Sequence, residues 1–242
     1  MKTMIFASVT INREMLAMLQ DIGNTILVPE LEKTYKSINT HPDIQMSVVN
    51  NRLFIDEDSW KNLLTVQSNT KYLKDLSPII LKTQLGNRYP LSVPFNGKYL
   101  ENTWIHHLEY TDISILNYIK EKSIKCIHTN QGYSGCALLL LPNRKGITSD
   151  PGLSKTLIEL GYDILLIREG HIILDELSHG FIGGCCGFYN NILYVHGDLS
   201  LHPDSHKIYE FLQDQPIKIK EIRGYPLTDI GSILFYEGGN NE

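Results

Sequence analysis

The sequence predicts a closed, five-bladed α/β-propeller of ββαβ units with pseudo-fivefold symmetry, and three observations carry that prediction. Asparagines recur at Asn50, Asn96, Asn143 and Asn190, spaced 46, 47 and 47 residues apart, each between two short apolar runs. Asn tolerates positive φ, so each reads as the tight turn of a β-hairpin. Behind each hairpin come an amphipathic helical stretch and then another apolar strand. The last run, Ser232 to Tyr236, falls 46 residues after Cys186 with no helix behind it. It therefore supplies the strand the first unit lacks, closing the ring and removing free sheet edges. Units repeated at this period cannot bury their apolar faces alone and must pack side by side.

The elements follow in order. The incomplete first unit offers a strand at Met4–Val9, a helix at Asn12–Gln20 and a strand at Thr25–Val28. The second has a hairpin over Ile44–Ile55, a less regular helical stretch with Trp60, Leu63 and Leu64, and a strand at Ile79–Leu81. In the third, a hairpin over Leu91–Leu100 turns at Asn96-Gly97, followed by a helix at Thr111–Ile119 and a strand at Ile124–His128. The fourth runs from a hairpin over Ala137–Thr148 to a helix opened by Asp150-Pro151 and ended by Gly161, then a strand at Asp163–Arg168. The fifth pairs a hairpin over Cys186–Val195 with a helix at Asp204–Leu212 and a strand at Ile217–Ile222. The expected organisation is one domain over 1–242, with blades at 1–40 plus 229–237, 41–82, 88–128, 133–168 and 180–223. Residues 238–242 read as a frayed tail.

Bulk properties narrow the function. The net charge of −5 and the lack of any basic run argue against nucleic acid as a partner. The apolar stretch before Thr10 is too short for a secretory or membrane-spanning segment, so the expectation is a cytoplasmic protein with no membrane partner. Cys126, Cys136, Cys185 and Cys186 do not form a disulfide framework and are expected to be reduced. No cofactor is expected, and the oligomeric state is left open.

Five such units, closing on themselves, resemble the pentein fold of the guanidino-group-modifying enzymes, the deiminases, dimethylarginine dimethylaminohydrolase and the amidinotransferases. Cys185 to Phe235 is most similar to the last blade and closing strand of dimethylarginine dimethylaminohydrolase, and the chain as a whole looks like a bacterial branch of the fold without an assigned activity. The resemblance implies a general acid/base at His128, in His128-Thr129-Asn130, with Asn130 in place of a second acid. It also implies a cation-binding Asp43 in His41-Pro42-Asp43. The acidic partner further along that segment is replaced near Val48 and Val49. The Gly-Gly-acid stretch opening the third blade is replaced by Arg88-Tyr89-Pro90. Most consequentially, Gly231 or Ser232 stands where the closing strand of these enzymes carries its nucleophilic cysteine. Serine does not replace a thiol readily, because its hydroxyl needs an adjacent base, so ordinary arginine or agmatine deiminase activity is not expected.

Residues just before the first strand of each blade should face the common axis. His41 with Asp43, His128 with Cys136, His179 with Cys185 and Cys186, and Asp229 with Ser232 are therefore expected to converge on one polar pocket. Three readings stay open. In the first, the nucleophile is relocated to Cys185 or Cys136, paired with His128 or His179, while Asp43, His41, Asn130, Asp229 and Ser232 bind substrate. In the second, Gly135, Cys136, Gly183, Gly184 and Cys185 are small residues packing a crowded axis. In the third, two His and two Cys ligate zinc, but their spacing matches no compact zinc module, and no metal site is assigned. His106-His107 reads as a surface pair, and Gly183-Gly184 is not a phosphate loop because no Lys-Ser/Thr follows. The function expected is an axial site for a small cationic or amide ligand, acting, if catalytic, as a hydrolase or transferase on C–N bonds of guanidines or amidines. The alternative is a non-catalytic binding protein, resembling the ribosome anti-association initiation factor that shares this fold.

Overall fold

Among the described residues, fifteen strands form five three-stranded sheets, and each sheet repeats one pattern: a first strand antiparallel to the second, and a third parallel to it across a helix. The computed structural model describes residues 3–238 apart from 75 and 82, so the expected tail from 239 onward lies outside the described residues.

The first blade contributes β1 (Met4–Ser8), α1 (Arg13–Gln20) and β2 (Asn24–Val28). In the second, a one-turn helix α2 (Pro42–Gln45) leads into β3 (Met46–Val49) and β4 (Arg52–Asp56), then α3 (Glu57–Thr65), α4 (Thr70–Leu73) and β5 (Ile79–Leu81). The third comprises β6 (Lys98–Leu100), β7 (Thr103–His106), α5 (Ile113–Glu121) and β8 (Lys125–His128). The fourth opens with another one-turn helix, α6 (Ser134–Ala137), before β9 (Leu138–Leu141), β10 (Lys145–Thr148), α7 (Pro151–Glu159) and β11 (Asp163–Leu166). In the fifth, a 3-10 turn at Gly183–Cys185 precedes β12 (Cys186–Tyr189), β13 (Ile192–Val195), α8 (Ser205–Gln213) and β14 (Lys218–Glu221). Last comes β15 (Leu234–Tyr236), which pairs antiparallel with β1 through Met4–Tyr236, Ile5–Phe235 and Phe6–Leu234. The end of the chain thus completes the first blade.

Local chemistry explains the elements. Asn12, Asp56, Asp112 and Asp150 each accept a backbone N–H at the start of α1, α3, α5 and α7, satisfying donors that a helix leaves unpaired. Paired positive-φ residues turn four hairpins at Asn50-Asn51, Glu101-Asn102, Asn143-Arg144 and Asn190-Asn191, the conformation that matches strand twist. The third differs from expectation: the turn is Glu101-Asn102, and Asn96 sits before β6 with its side chain buried. Its amide is committed to four hydrogen bonds across the axis, described below, and cannot serve as a solvent-facing turn.

Closure is visible in the core. Five of the apolar clusters each join neighbouring blades: Phe6 and Ile26 with Met46 and Leu53, Phe54 with Trp104 and Ile115, Ile105 with Leu138 and Leu157, Leu139 and Ile147 with Leu193 and Ile208, and Tyr194 with Ile5 and Met15. The last joins the fifth blade to the first. Among the described residues no sheet carries its own core, so the ring is the unit that buries apolar surface. The first strands of all five blades wall one cavity of about 430 Å³, and their N-terminal lead-ins meet at its end. Among the described residues, no helix is long and apolar enough to cross a membrane.

Candidate functional site

The lead-ins to β6, β9 and β15 each bring one residue to the axis two positions before the strand begins: Asn96, Cys136 and Ser232. All three are buried and bonded together, with Asp43 at their centre. Asp43 Oδ2 accepts from Ser232 Oγ at 2.7 Å and from Cys136 Sγ at 3.1 Å. Asn96 Nδ2 donates to Cys136 Sγ and to the Asp43 carbonyl, both at 3.1 Å, while its Oδ1 accepts the N–H groups of Gly135 and Cys136. One amide therefore fixes both the backbone and the sulfur of the α6 turn.

A cavity of about 220 Å³ adjoins this cluster, lined by His41, Cys136, His179 and Asp229 together with Tyr35 and Tyr133. His41 and Asp229 are both buried, with Nδ1 and Oδ1 3.8 Å apart. Asp229 is held by N–H donation from Phe181 to Oδ2 at 2.9 Å and from Gly231 to Oδ1 at 3.0 Å. His41 Nδ1 and Asp43 Oδ1 are buried without a hydrogen-bond partner, which is costly unless a ligand answers them. Glycines make the approach possible: a Cβ on Gly184 would lie 1.9 Å from Asp229 Oδ1, and one on Gly231, at φ 76°, would lie 2.2 Å from the His41 Cβ. At the rim the Tyr35 and Tyr133 hydroxyls are bonded to each other, and Tyr133 also meets Ser92 Oγ at 2.7 Å.

Burial sets the charge states. It pushes the Asp229 carboxyl up to about 6, raises Asp43, and lowers His41 to about 4, so the imidazole is neutral. The Cys136 thiol lies well above its ordinary value, through burial first and then the Asp43 and Asp229 charges. Lys98 donates to the Gly135 carbonyl at 3.3 Å from the wider cavity, where burial lowers its ammonium. With both carboxylates ionised, Lys98 offsets only one of them, and the site is short of one positive charge.

The expected site residues fall into two groups. His41, Asp43, Cys136, Asp229 and Ser232 come together, and His179 stands at the cavity rim, half-buried, with Nδ1 3.0 Å from Ser178 Oγ. Cys185 is separate: its sulfur donates to the Phe181 carbonyl at 3.4 Å and packs in the apolar core between the fourth and fifth blades, where burial holds the thiol well above its ordinary value. Cys186 lies in the same core, its thiol pushed up to about 12. His128 does not reach the axis. It ends β8, the third strand of its blade, where its exposed ring accepts from the Leu108 N–H and lies 4.8 Å from that of His107; Asn130, two residues on, is also exposed. The residues that do reach the axis from the fourth blade follow the loop 129–133, a displacement that sequence spacing does not reveal. His106 is a further correction to the surface-pair reading, being fully buried between Thr111 Oγ1 and the Gly132 carbonyl. Asn96, Lys98, Tyr35 and Tyr133 escaped the sequence reading. Asn96 was masked by Asn-Gly turn chemistry, and the others carry no motif.

A family model matches residues 6–234, and its description is a family of unknown function, DUF6873. The chain belongs to that family. No curated protein matches it in sequence. Among solved structures, a dimethylarginine dimethylaminohydrolase adduct with 4-chloro-2-hydroxymethylpyridine superposes with TM-score 0.54 at 11% identity, covering 92% of each chain. A cysteine-to-serine variant of the Pseudomonas aeruginosa dimethylarginine dimethylaminohydrolase with citrulline gives 0.52 at 10%, again covering 92% of each. A substrate-bound cysteine-to-serine variant of Campylobacter jejuni agmatine deiminase gives 0.51 at 14%, covering 98% of this chain and 93% of that one. These are pentein propellers, and so is this DUF6873 member.

Proposed function

We propose that the axial cavity binds a small guanidinium or amidinium cation and that Cys136 is the thiol that attacks it. The observation that carries this reading is the Cys136 Sγ–Asp43 Oδ2 hydrogen bond beside a cavity that also holds His41 and Asp229. A cation seated against Asp229 supplies the missing positive charge. It also favours ionisation of the neighbouring thiol. The Cys136 proton then passes to Asp43 Oδ2 along the existing bond, the S–C bond forms, and Asn96 Nδ2 steadies the sulfur before attack. Asp43 hands that proton on to the departing amine as the C–N bond breaks, and His41, neutral and unpaired at Nδ1, takes one from the water that displaces sulfur and returns it to the Cys136 thiolate. Ser232 is already bonded to Asp43 and serves to orient it.

The test is amine or ammonia release from a panel of alkylguanidinium and amidinium compounds, with citrulline-type products followed by mass spectrometry. Release is expected to require Cys136 and Asp229 and to survive Cys185→Ser. Release that survives Cys136→Ser contradicts the assignment; saturable cation binding with no release on any compound supports instead the non-catalytic reading.

A further inference from the structure

We infer that His41, Cys136 and Asp229 form a zinc site. The inference rests on the cavity described above but not on its catalytic reading. Three kinds of donor, an imidazole nitrogen, a sulfur and a carboxylate oxygen, lie within 4.8 Å of one another, and all three residues are buried. They come from the lead-in to the second blade, the fourth blade and the segment before β15, so only ring closure assembles them. This trio is distinct from the paired His and Cys that the sequence suggested and that carried no metal assignment.

Tetrahedral zinc, with bonds of roughly 2.0–2.3 Å, sets its ligand atoms about 3.3–3.8 Å apart. His41 Nδ1 and Asp229 Oδ1 are 3.8 Å apart and no two of the three donors are more than 4.8 Å apart, so small inward movements of the side chains bring all three to that spacing. His41 Nδ1 has no competing hydrogen bond to surrender. Binding forms the S–Zn bond and breaks S–H, the proton leaving to solvent. The dication is then matched by one thiolate and one carboxylate, and Asp43 interacts electrostatically with Lys98. Asn96 Nδ2, at 3.1 Å from the sulfur, is the outer donor that holds such a thiolate in place. A mixed nitrogen, sulfur and oxygen set suits zinc and disfavours magnesium or calcium. Three protein ligands beside an open cavity leave the fourth position for water or a small ligand, the arrangement of reactive rather than structural zinc.

The metal-stripped full chain, titrated with zinc against a chromophoric chelator, should bind one equivalent, and its cobalt form should show thiolate-to-metal charge-transfer absorption. Cys136→Ser and His41→Ala should each weaken zinc by more than about 100-fold, since losing a ligand exceeds the 10–100-fold effect of losing an outer-shell partner; Cys185→Ser should change nothing. X-ray absorption on the unmodified zinc-loaded protein covers the case in which a variant fails to fold, and should show one sulfur at about 2.3 Å with lighter ligands at about 2.0 Å. A metal shell without sulfur, zinc affinity indifferent to Cys136→Ser, or no stoichiometric binding overturns the site. Amine release is measured on chelator-treated protein, so either result stands without the other.

Discussion

Asp43 and Asp229 show how one residue's burial becomes a property of the site. Each carboxylate is held by only a few donors, and burial acts on what remains unanswered. The buried His41–Asp229 pair makes a specific pH signature. Asp229 is raised from 3.8 to about 6 in the folded state, so its contribution to stability is full below pH 3.8 and is lost as pH rises through 6. His41 is lowered from 6.5 to about 4, so its contribution is present above pH 6.5 and lost as pH falls through 4. Each spans roughly 3 kcal/mol at most, and they oppose one another across the same window. His106, lowered to about 4, and Asp43, raised, also titrate across this window, so denaturant unfolding from pH 4 to 6.5 reads each group as a change of slope relative to the native sequence. Relative to native, Asp229→Asn should lose stability as pH falls and His41→Gln as pH rises; two variants that both keep the native slope would show that these groups do not share one buried environment.

At the scale of the element, the hairpins and the lead-in turns divide the labour of fold and site. Asn50, Asn143 and Asn190 were legible as turns because Asn accepts positive φ, and the structure gives them φ of 46°, 59° and 49°. The third hairpin was not, since Glu101 takes φ 47° without any residue-type signal, while Asn96-Gly97 imitated the turn it does not make. The same misreading hid Asn96 from the site. Conversely His41, Asp43, Cys136, Asp229 and Ser232 were legible because each stands just before a first strand. His128 was not placed correctly because a short loop and α6 intervene before β9. Replacing Asn143, which sits in an exposed turn at φ 59°, by Ala should cost up to about 1–2 kcal/mol, because Ala keeps a Cβ in the left-handed region but lacks the short polar side chain that lets Asn adopt it, and Asn143→Gly should cost little or nothing. Thermal unfolding of the two variants measures this; equal losses would mean that the Asn143 side chain, not its backbone, holds the turn.

For the whole molecule, closure is what assembles the axial cluster. The cores lie between blades, and β15 ties the last residues to the first strand while delivering Ser232 and Asp229 against His41 and Asp43. Sequence repeats revealed the ring, but could not reveal which of two axial cysteines meets the carboxylates, because that depends on how neighbouring lead-ins interdigitate. The central claim is that Cys136 is a thiol addressed by a cation. It is tested most directly by comparing chloroacetamidine, a cation, with neutral chloroacetamide on chelator-treated Cys126→Ser protein, which removes the exposed cysteine on β8. Peptide mapping should find Cys136 alkylated at least about tenfold faster by the cation, with that preference lost in Asp229→Asn and Cys185 unmodified by either reagent. Equal, slow labelling of Cys136 by both compounds, or preferential labelling of Cys185, would contradict the account.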